Sequence, residues 1–175
     1  EIEFISDDRG CSDINSVFDF NEFACVAIQS PNYYGLIENW KDWSSKINGE
    51  TILISVSDPI SLSLLASPGA CGADIYCGEG QSLGNYMNFG GPFLGLLSSK
   101  IKYVRKMPGR IVGKTDDLNG DEGYVLTLQA REQHIRRDRA NSNICTNQSL
   151  MALRASIYMS LLGKEGMPKL AKLCF

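Results

Sequence analysis

The chain has 175 residues, 43% of them apolar and 21% charged, which suits one domain with a real core. Its net charge of -3 and pI near 5.2 argue against nucleic acid as the default partner. No apolar run approaches the roughly 20 residues that span a bilayer, so no membrane partner is expected.

The chain does not begin with methionine, and EIEFISDDRG lacks the basic-then-apolar order of a signal peptide. An internal piece of a longer protein is the expectation. Six cysteines, at 11, 25, 71, 77, 145 and 174, include no C-x-x-C pair, and His134 is the only histidine. A structural metal site needs such ligands clustered, so none is expected. Cys25 and Cys77 lie inside apolar runs, where free cysteine acts as a small core residue. The compartment expected is reducing and cytoplasmic, which makes the NQS at 147–149 a chance glycosylation match.

Residues 1–22 carry seven acids with Arg9 the only base, and read as a loop or solvated helix. ACVAIQS (24–30) predicts a strand covered on both faces. LIENWKDWSSKI (36–47) has helical spacing and stops near Asn48-Gly49. ETILISVSDP is a second buried strand ending at Asp58-Pro59, and SLSLLAS predicts a short helix. ADIYCG is a third strand and PFLGLLSS (92–99) a fourth. Strands alternating with helices indicate an α/β layered sheet. The glycine-rich connection into the fourth strand has no helical periodicity, and a parallel neighbour needs a crossover of roughly a dozen residues, usually helical. The fourth strand is therefore expected to be antiparallel.

Residues 100–114 carry six bases and no acid. NGDEG reads as a turn, and GYVLTLQ as a strand or extended arm. SNICTNQSLMALRASIYMSLLG predicts a helix capped by Ser142 or Asn143, with Leu150, Leu153, Ile157 and Leu161 on one face and Gly163 at its end.

GEGQSLG after the third strand has the look of a phosphate loop. Its third glycine is one residue late for G-x-G-x-x-G, no helix opens from it, and no Gly-Lys pair follows. A tight strand-to-strand connection is the better reading. Asp58, at a strand end, suits either a ligand group or the cap of the next helix. REQHIRRDR has four arginines against two acids, which usually makes a solvated, salt-bridged face. The single histidine lacks a partner legible in the composition, so a structural role is favoured over general base.

GADIYCGEGQSLG, NFGGPFLG, MPGRIVGKT, YVLTLQAREQHIRRDRANSNICTNQSLMAL and LLGKEG together resemble glycine decarboxylase, the P-protein of the glycine cleavage system. The resemblance runs from about Cys25 to Cys174, and ICTNQ and LLGKEG look more like subunit 1 of the two-subunit bacterial form. It implies a three-layer α/β sandwich, a mostly parallel sheet with one antiparallel strand. This would be part of the large domain of the type I fold of transferases that use pyridoxal phosphate (PLP). Residues 1–175 would be a fragment of that domain, with about 24–164 the sheet-and-helix core and the C-terminal small domain largely absent.

In the PLP-carrying half of such an enzyme, a His-Lys pair follows the third strand. Here Gln81 takes the stacking position and Ser82 the Schiff-base position, with no lysine between Lys46 and Lys100. Asp58 matches the group that pairs the pyridine nitrogen and Asn32 the proline-asparagine loop, so these two would be cofactor-binding residues of a vestigial site. The resemblance thus implies a non-PLP subunit, with no cofactor bound covalently here and PLP on a partner, subunit 2. The lipoyl H-protein would be the acceptor. His134, Arg136, Arg137 and Thr146 are the candidates to reach the partner subunit or its active site, and the basic stretch 100–114 is a weaker candidate for docking the H-protein. A PLP enzyme active by itself and a non-enzymatic binding module, for example an RNA binder, are the alternatives.

Overall fold

The structure is a computed structural model describing residues 1–17, 19–47, 49–140 and 148–175. Residues Glu1–Lys100 and Gln148–Phe175 form one compact unit, and Ile101–Asn147 a second.

The first unit opens with a small antiparallel ribbon, β1 (Asp7–Asp8) and β2 (Cys11–Ser12). It then alternates strand and helix: β3 (Cys25–Gln29), α1 (Trp40–Lys46), β4 (Ile52–Val56), β5 (Ile75–Glu79) and β6 (Gly95–Ser99). The sheet order is β3-β4-β5-β6. β3 and β4 are parallel, with Val26 beside Leu53, and β4 and β5 are parallel, with Ile54 beside Ile75. β6 returns antiparallel to β5, Cys77 facing Leu97. The direction expected from the missing crossover helix is the direction observed, and the α/β class with one antiparallel strand holds.

α1 starts where Asn39 Oδ1 accepts from Lys41 N at 3.1 Å. The helix turns Trp40 and Trp43 inward onto Val26, Ile28 and Leu53. Trp40 Nε1 donates to Ile28 O at 3.1 Å, and Trp43 meets Phe20 edge-on with ring centroids 6.1 Å apart. Each such side chain, fully buried, contributes about 2–3 kcal/mol.

Three expectations are corrected here. The acidic start is not merely solvated, because Phe20 is buried in this core with Ile5, Ile14 and Val17 packed against it. β3 is covered on one face only: Val26 and Ile28 are buried while Cys25, Ala27 and Gln29 are exposed, so Cys25 is not a core residue. SLSLLAS shrinks to one turn, Ser61–Ser63, ahead of Ser67-Pro68, since proline disfavours helix at the residue before it.

In the second unit β7 (Ile111–Asp116) and β8 (Glu122–Thr127) make a hairpin, with Lys114 Nζ 2.5 Å from Glu122 Oε2. At its turn the backbone N–H groups of Asp121 and Asn119 hold the Asp117 carboxyl below the usual carboxylate range. A short helix, α2 (Gln133–Arg136), follows.

α3 (Ser149–Cys174) belongs to the first unit and breaks at Gly163, whose φ of 61° and ψ of −172° end the first helical segment. Its inward contacts are Met151, Ala155, Tyr158 and Ala171, packed with Ile60, Leu83 and Leu94. The face read from the spacing is not the one that turns inward. Leu150, Leu153, Ile157 and Leu161 are exposed, Leu161 to 82%. The segment is apolar on more than one side, so spacing alone does not select the stripe that turns inward. Its predicted caps, Ser142 and Asn143, lie outside the described residues. Among the described residues no helix is long and apolar enough to cross a membrane, and no group of three or more His, Cys, Asp or Glu is placed to hold a metal ion.

Candidate functional site

A cleft of about 870 Å³ opens in the first unit. Its floor is set by the sheet: Gln29 ends β3, Val56 ends β4 with Ser57 and Asp58 following it, and Cys77, Gly78 and Glu79 end β5. In a parallel sheet these carboxyl ends are where ligands collect. The loop after β5 adds Gln81, Ser82 and Asn85, and Tyr86, Met87 and Tyr158 bring apolar surface.

The glycines of GEGQSLG serve packing. A Cβ on Gly78 would lie 2.8 Å from Ser57 O and overlap the Tyr76 hydroxyl. One on Gly80 would press on Leu94, and Gly84, at φ +82°, leaves room for the Tyr158 ring. Four of the loop's amides are engaged within the chain. Gly80 N donates to Leu94 O at 2.7 Å, Leu83 N to Gly80 O at 3.0 Å and Asn85 N to Gln81 O at 3.0 Å. Glu79 Oε1 accepts from Gln81 N at 3.0 Å and Leu94 N at 2.6 Å. This is a tight strand-to-strand connection, with those N–H groups turned to the chain and not to a phosphate.

Within it Gln81 ties the loop across, Nε2 donating to Pro92 O at 2.8 Å, and Ser82 Oγ is buried without a partner. Asp58 also lines the cleft. Its Oδ1 accepts from Ile60 N at 2.8 Å, so it caps the turn that follows and keeps Oδ2 for other use. Beside it the Tyr76 phenol is pushed up by burial, with the Asp58 carboxylate adding to the effect. Its hydroxyl donates to Ser57 O at 3.2 Å.

Asn32 is not among the residues lining the cleft. Its Nδ2 donates to Gly10 O at 2.7 Å and to Glu38 Oε1 at 2.9 Å, and its Oδ1 accepts from Tyr34 N and Leu36 N, both at 3.0 Å. These bonds fix the 31–37 loop to the N-terminal ribbon and account for the polar atoms of the side chain. His134, Arg136 and Arg137 lie in the second unit, on or just after α2, and all are exposed. Thr146 lies outside the described residues.

Sequence reasoning passed over Arg131. It is 6% exposed, its Nη2 donating to Gly109 O at 2.6 Å while Nε and Nη1 have no partner. It stood in the quoted arginine run, but nothing in the run separates a buried guanidinium from its solvated neighbours. The basic stretch is divided as well: Lys100 Nζ pairs with Asp74 Oδ1 at 3.1 Å, and Lys102 lies over the Tyr103 ring at 4.7 Å.

Pyridoxal phosphate, the cofactor that the resemblance implies, needs an amine to form an imine, a cation or free amides for its phosphate, and a carboxylate at the ring nitrogen. Asp58 offers a carboxylate in the cleft. The residues lining the cleft include no lysine, arginine or histidine, and Ser82, which the resemblance sets at the imine position, brings a buried hydroxyl. The residues present do not fit a covalently held PLP.

The family model for the glycine cleavage system P-protein matches residues 2–175. A curated relative in Desulforamulus reducens, named probable glycine dehydrogenase (decarboxylating) subunit 1, is 52% identical over 99% of this chain and 40% of its own length. The protein of the same name in Desulfitobacterium hafniense is 56% identical over 87% of this chain and 34% of its own. A crystal structure of glycine decarboxylase (P-protein) of the glycine cleavage system, in inhibitor-bound form, superposes with a TM-score of 0.83 at 44% identity, over 91% of this chain and 36% of that one. The chain therefore spans about two fifths or less of the length of these relatives.

Proposed function

We propose that this chain, which belongs to the glycine cleavage system P-protein family, is part of a glycine decarboxylase subunit that complements a PLP-bearing partner. The observation that carries the proposal is the buried Ser82 hydroxyl. It stands in the loop after β5, in a cleft that keeps Asp58 and has no lysine among its lining residues. A hydroxyl cannot form an imine with an aldehyde, so the reaction needs the second subunit. The relatives named subunit 1 support the same assignment.

In the complete enzyme glycine loses carbon dioxide, and the aminomethyl group left behind passes to the lipoyl arm of the H-protein. PLP on the partner supplies the electron sink. This chain contributes shape and a docking surface. His134, Arg136, Arg137 and Thr146 are the candidates for contact with the partner's site, and the exposure of the first three leaves their side chains open to it. Arginine forks suit a phosphate or carboxylate there. The free thiols of Cys11, Cys25, Cys71, Cys77 and Cys174 suit a reducing cytoplasm.

Co-purification of the full-length protein with the PLP-bearing subunit, followed by glycine–carbon dioxide exchange with and without it, tests the reading. Exchange is expected only when both are present, and Arg136→Ala or Arg137→Ala is expected to lower it about tenfold. Full exchange by the partner alone overturns the complementing role. A single lysine of this chain trapped by borohydride after mixing with PLP would make it an autonomous PLP enzyme.

A further inference from the structure

Three polar atoms around the cleft are buried without a hydrogen-bond partner: Ser57 Oγ, Ser82 Oγ and Asn85 Oδ1. Ser57 and Asn85 are only 4% and 3% exposed. Buried polar atoms are nearly always paired, and an orphan loses its hydration with nothing in return. Several such atoms around one cavity mark the place of an absent partner. Asn85 Oδ1 can only accept, and both hydroxyls can accept as well.

The charges at the cleft have one sign. Asp58 and Glu79 each give one oxygen to backbone N–H groups, Oδ1 and Oε1 respectively, and hold the other toward no donor among the described residues. The lining includes no basic side chain. Arg154 is not part of it, and its guanidinium stands 4.9 Å over the Tyr86 ring. A ligand carrying carboxylate or phosphate would meet two carboxylates and no counter-charge. A cation with several N–H donors meets what the cleft has, and the rings of Tyr86 and Tyr158 provide an apolar wall.

We propose that this cleft is a binding site for a small organic primary amine with an apolar body and no acidic group. Its ammonium donors are shared among Asn85 Oδ1, the hydroxyls of Ser57 and Ser82, and the Asp58 carboxylate. The inference goes beyond the decarboxylase reading and rests on the cleft alone, so it stands or falls separately from any need for a partner subunit.

The probe is phenethylamine, titrated calorimetrically into the full-length protein free of its partner. 2-Phenylethanol serves as the uncharged counterpart and phenylalanine as the carboxylate-bearing one. Saturable binding of the amine is expected, at least about tenfold weaker for each counterpart. Asp58→Asn keeps an oxygen for Ile60 N, and so keeps the turn, while removing the charge; it is expected to weaken the amine about tenfold. Ser82→Ala, a smaller change that leaves the loop's backbone bonds intact, is expected to weaken it a few-fold. Absence of saturable binding, equal binding of the alcohol, or indifference to both substitutions overturns the proposal.

Discussion

Asn32 Nδ2 lies 2.9 Å from Glu38 Oε1, and the same oxygen accepts from Ser12 N at 2.8 Å and Ser12 Oγ at 3.1 Å. Glu38 is 5% exposed, so one buried side chain gathers the loop after β3 and the ribbon strand β2. Glu38→Ala takes the acceptor from three partly buried donors, of which Asn32 Nδ2 keeps its bond to Gly10 O. The expected loss is about 3 kcal/mol, read from urea unfolding of the full-length protein. Glu38→Gln keeps an acceptor and is expected to recover a good part of it. Equal stability of Glu38→Ala and the parent would show that the three bonds count for little.

Gly84 sits at φ +82°, and a Cβ there would come 2.7 Å from Tyr158 Cδ2. Gly84→Ala therefore combines left-handed backbone strain with an overlap onto α3. A loss of about 2–4 kcal/mol is expected, seen as a lower thermal midpoint. Tyr158→Ala in the same background relieves the overlap, so the two substitutions should be clearly non-additive. Simple addition would mean that the ring is not the obstacle.

Burial holds the Tyr76 phenol above its ordinary value of 10.0, with the charges of Asp58 and Cys77 adding. The folded chain then keeps this proton when the unfolded chain has already lost it. The contribution to stability is whole below the unfolded value and falls as pH rises from there toward the folded one. Urea midpoints measured from about pH 9 to 11 should drop less steeply in Tyr76→Phe than in the parent. Parallel slopes would assign the alkaline loss to other groups.

Much of the sheet was legible because local and global signals agree. The runs before Asp58-Pro59 and Gly78 are short, apolar and closed by turn residues, and they became β4 and β5. The direction of β6 followed from the lack of helical periodicity in the glycine-rich connection before it. Other features depend on contacts that a pattern does not carry. Asn32 looked like a ligand group because the resemblance matches it to the proline-asparagine loop; the bond to Glu38 that engages it joins residues brought together only by the fold. The inward stripe of α3 runs through Ala155, whose small side chain scores weakly beside Leu153 and Ile157, yet it is the alanine that packs. In the site, Asp58 was reachable from its position at a strand end, and Ser82 only through the resemblance. The unpaired state of Ser57 and Asn85 was not, since it depends on what surrounds each atom in space.

Among the described residues no strand pairs with the outer edge of β3 or of β6. Each edge leaves a row of backbone donors and acceptors turned outward, and such rows attach readily to any other extended chain. Cut free and concentrated, this stretch is expected to stick to itself edge by edge. A preparation that keeps its natural surroundings, where those rows can be covered, should stay dispersed.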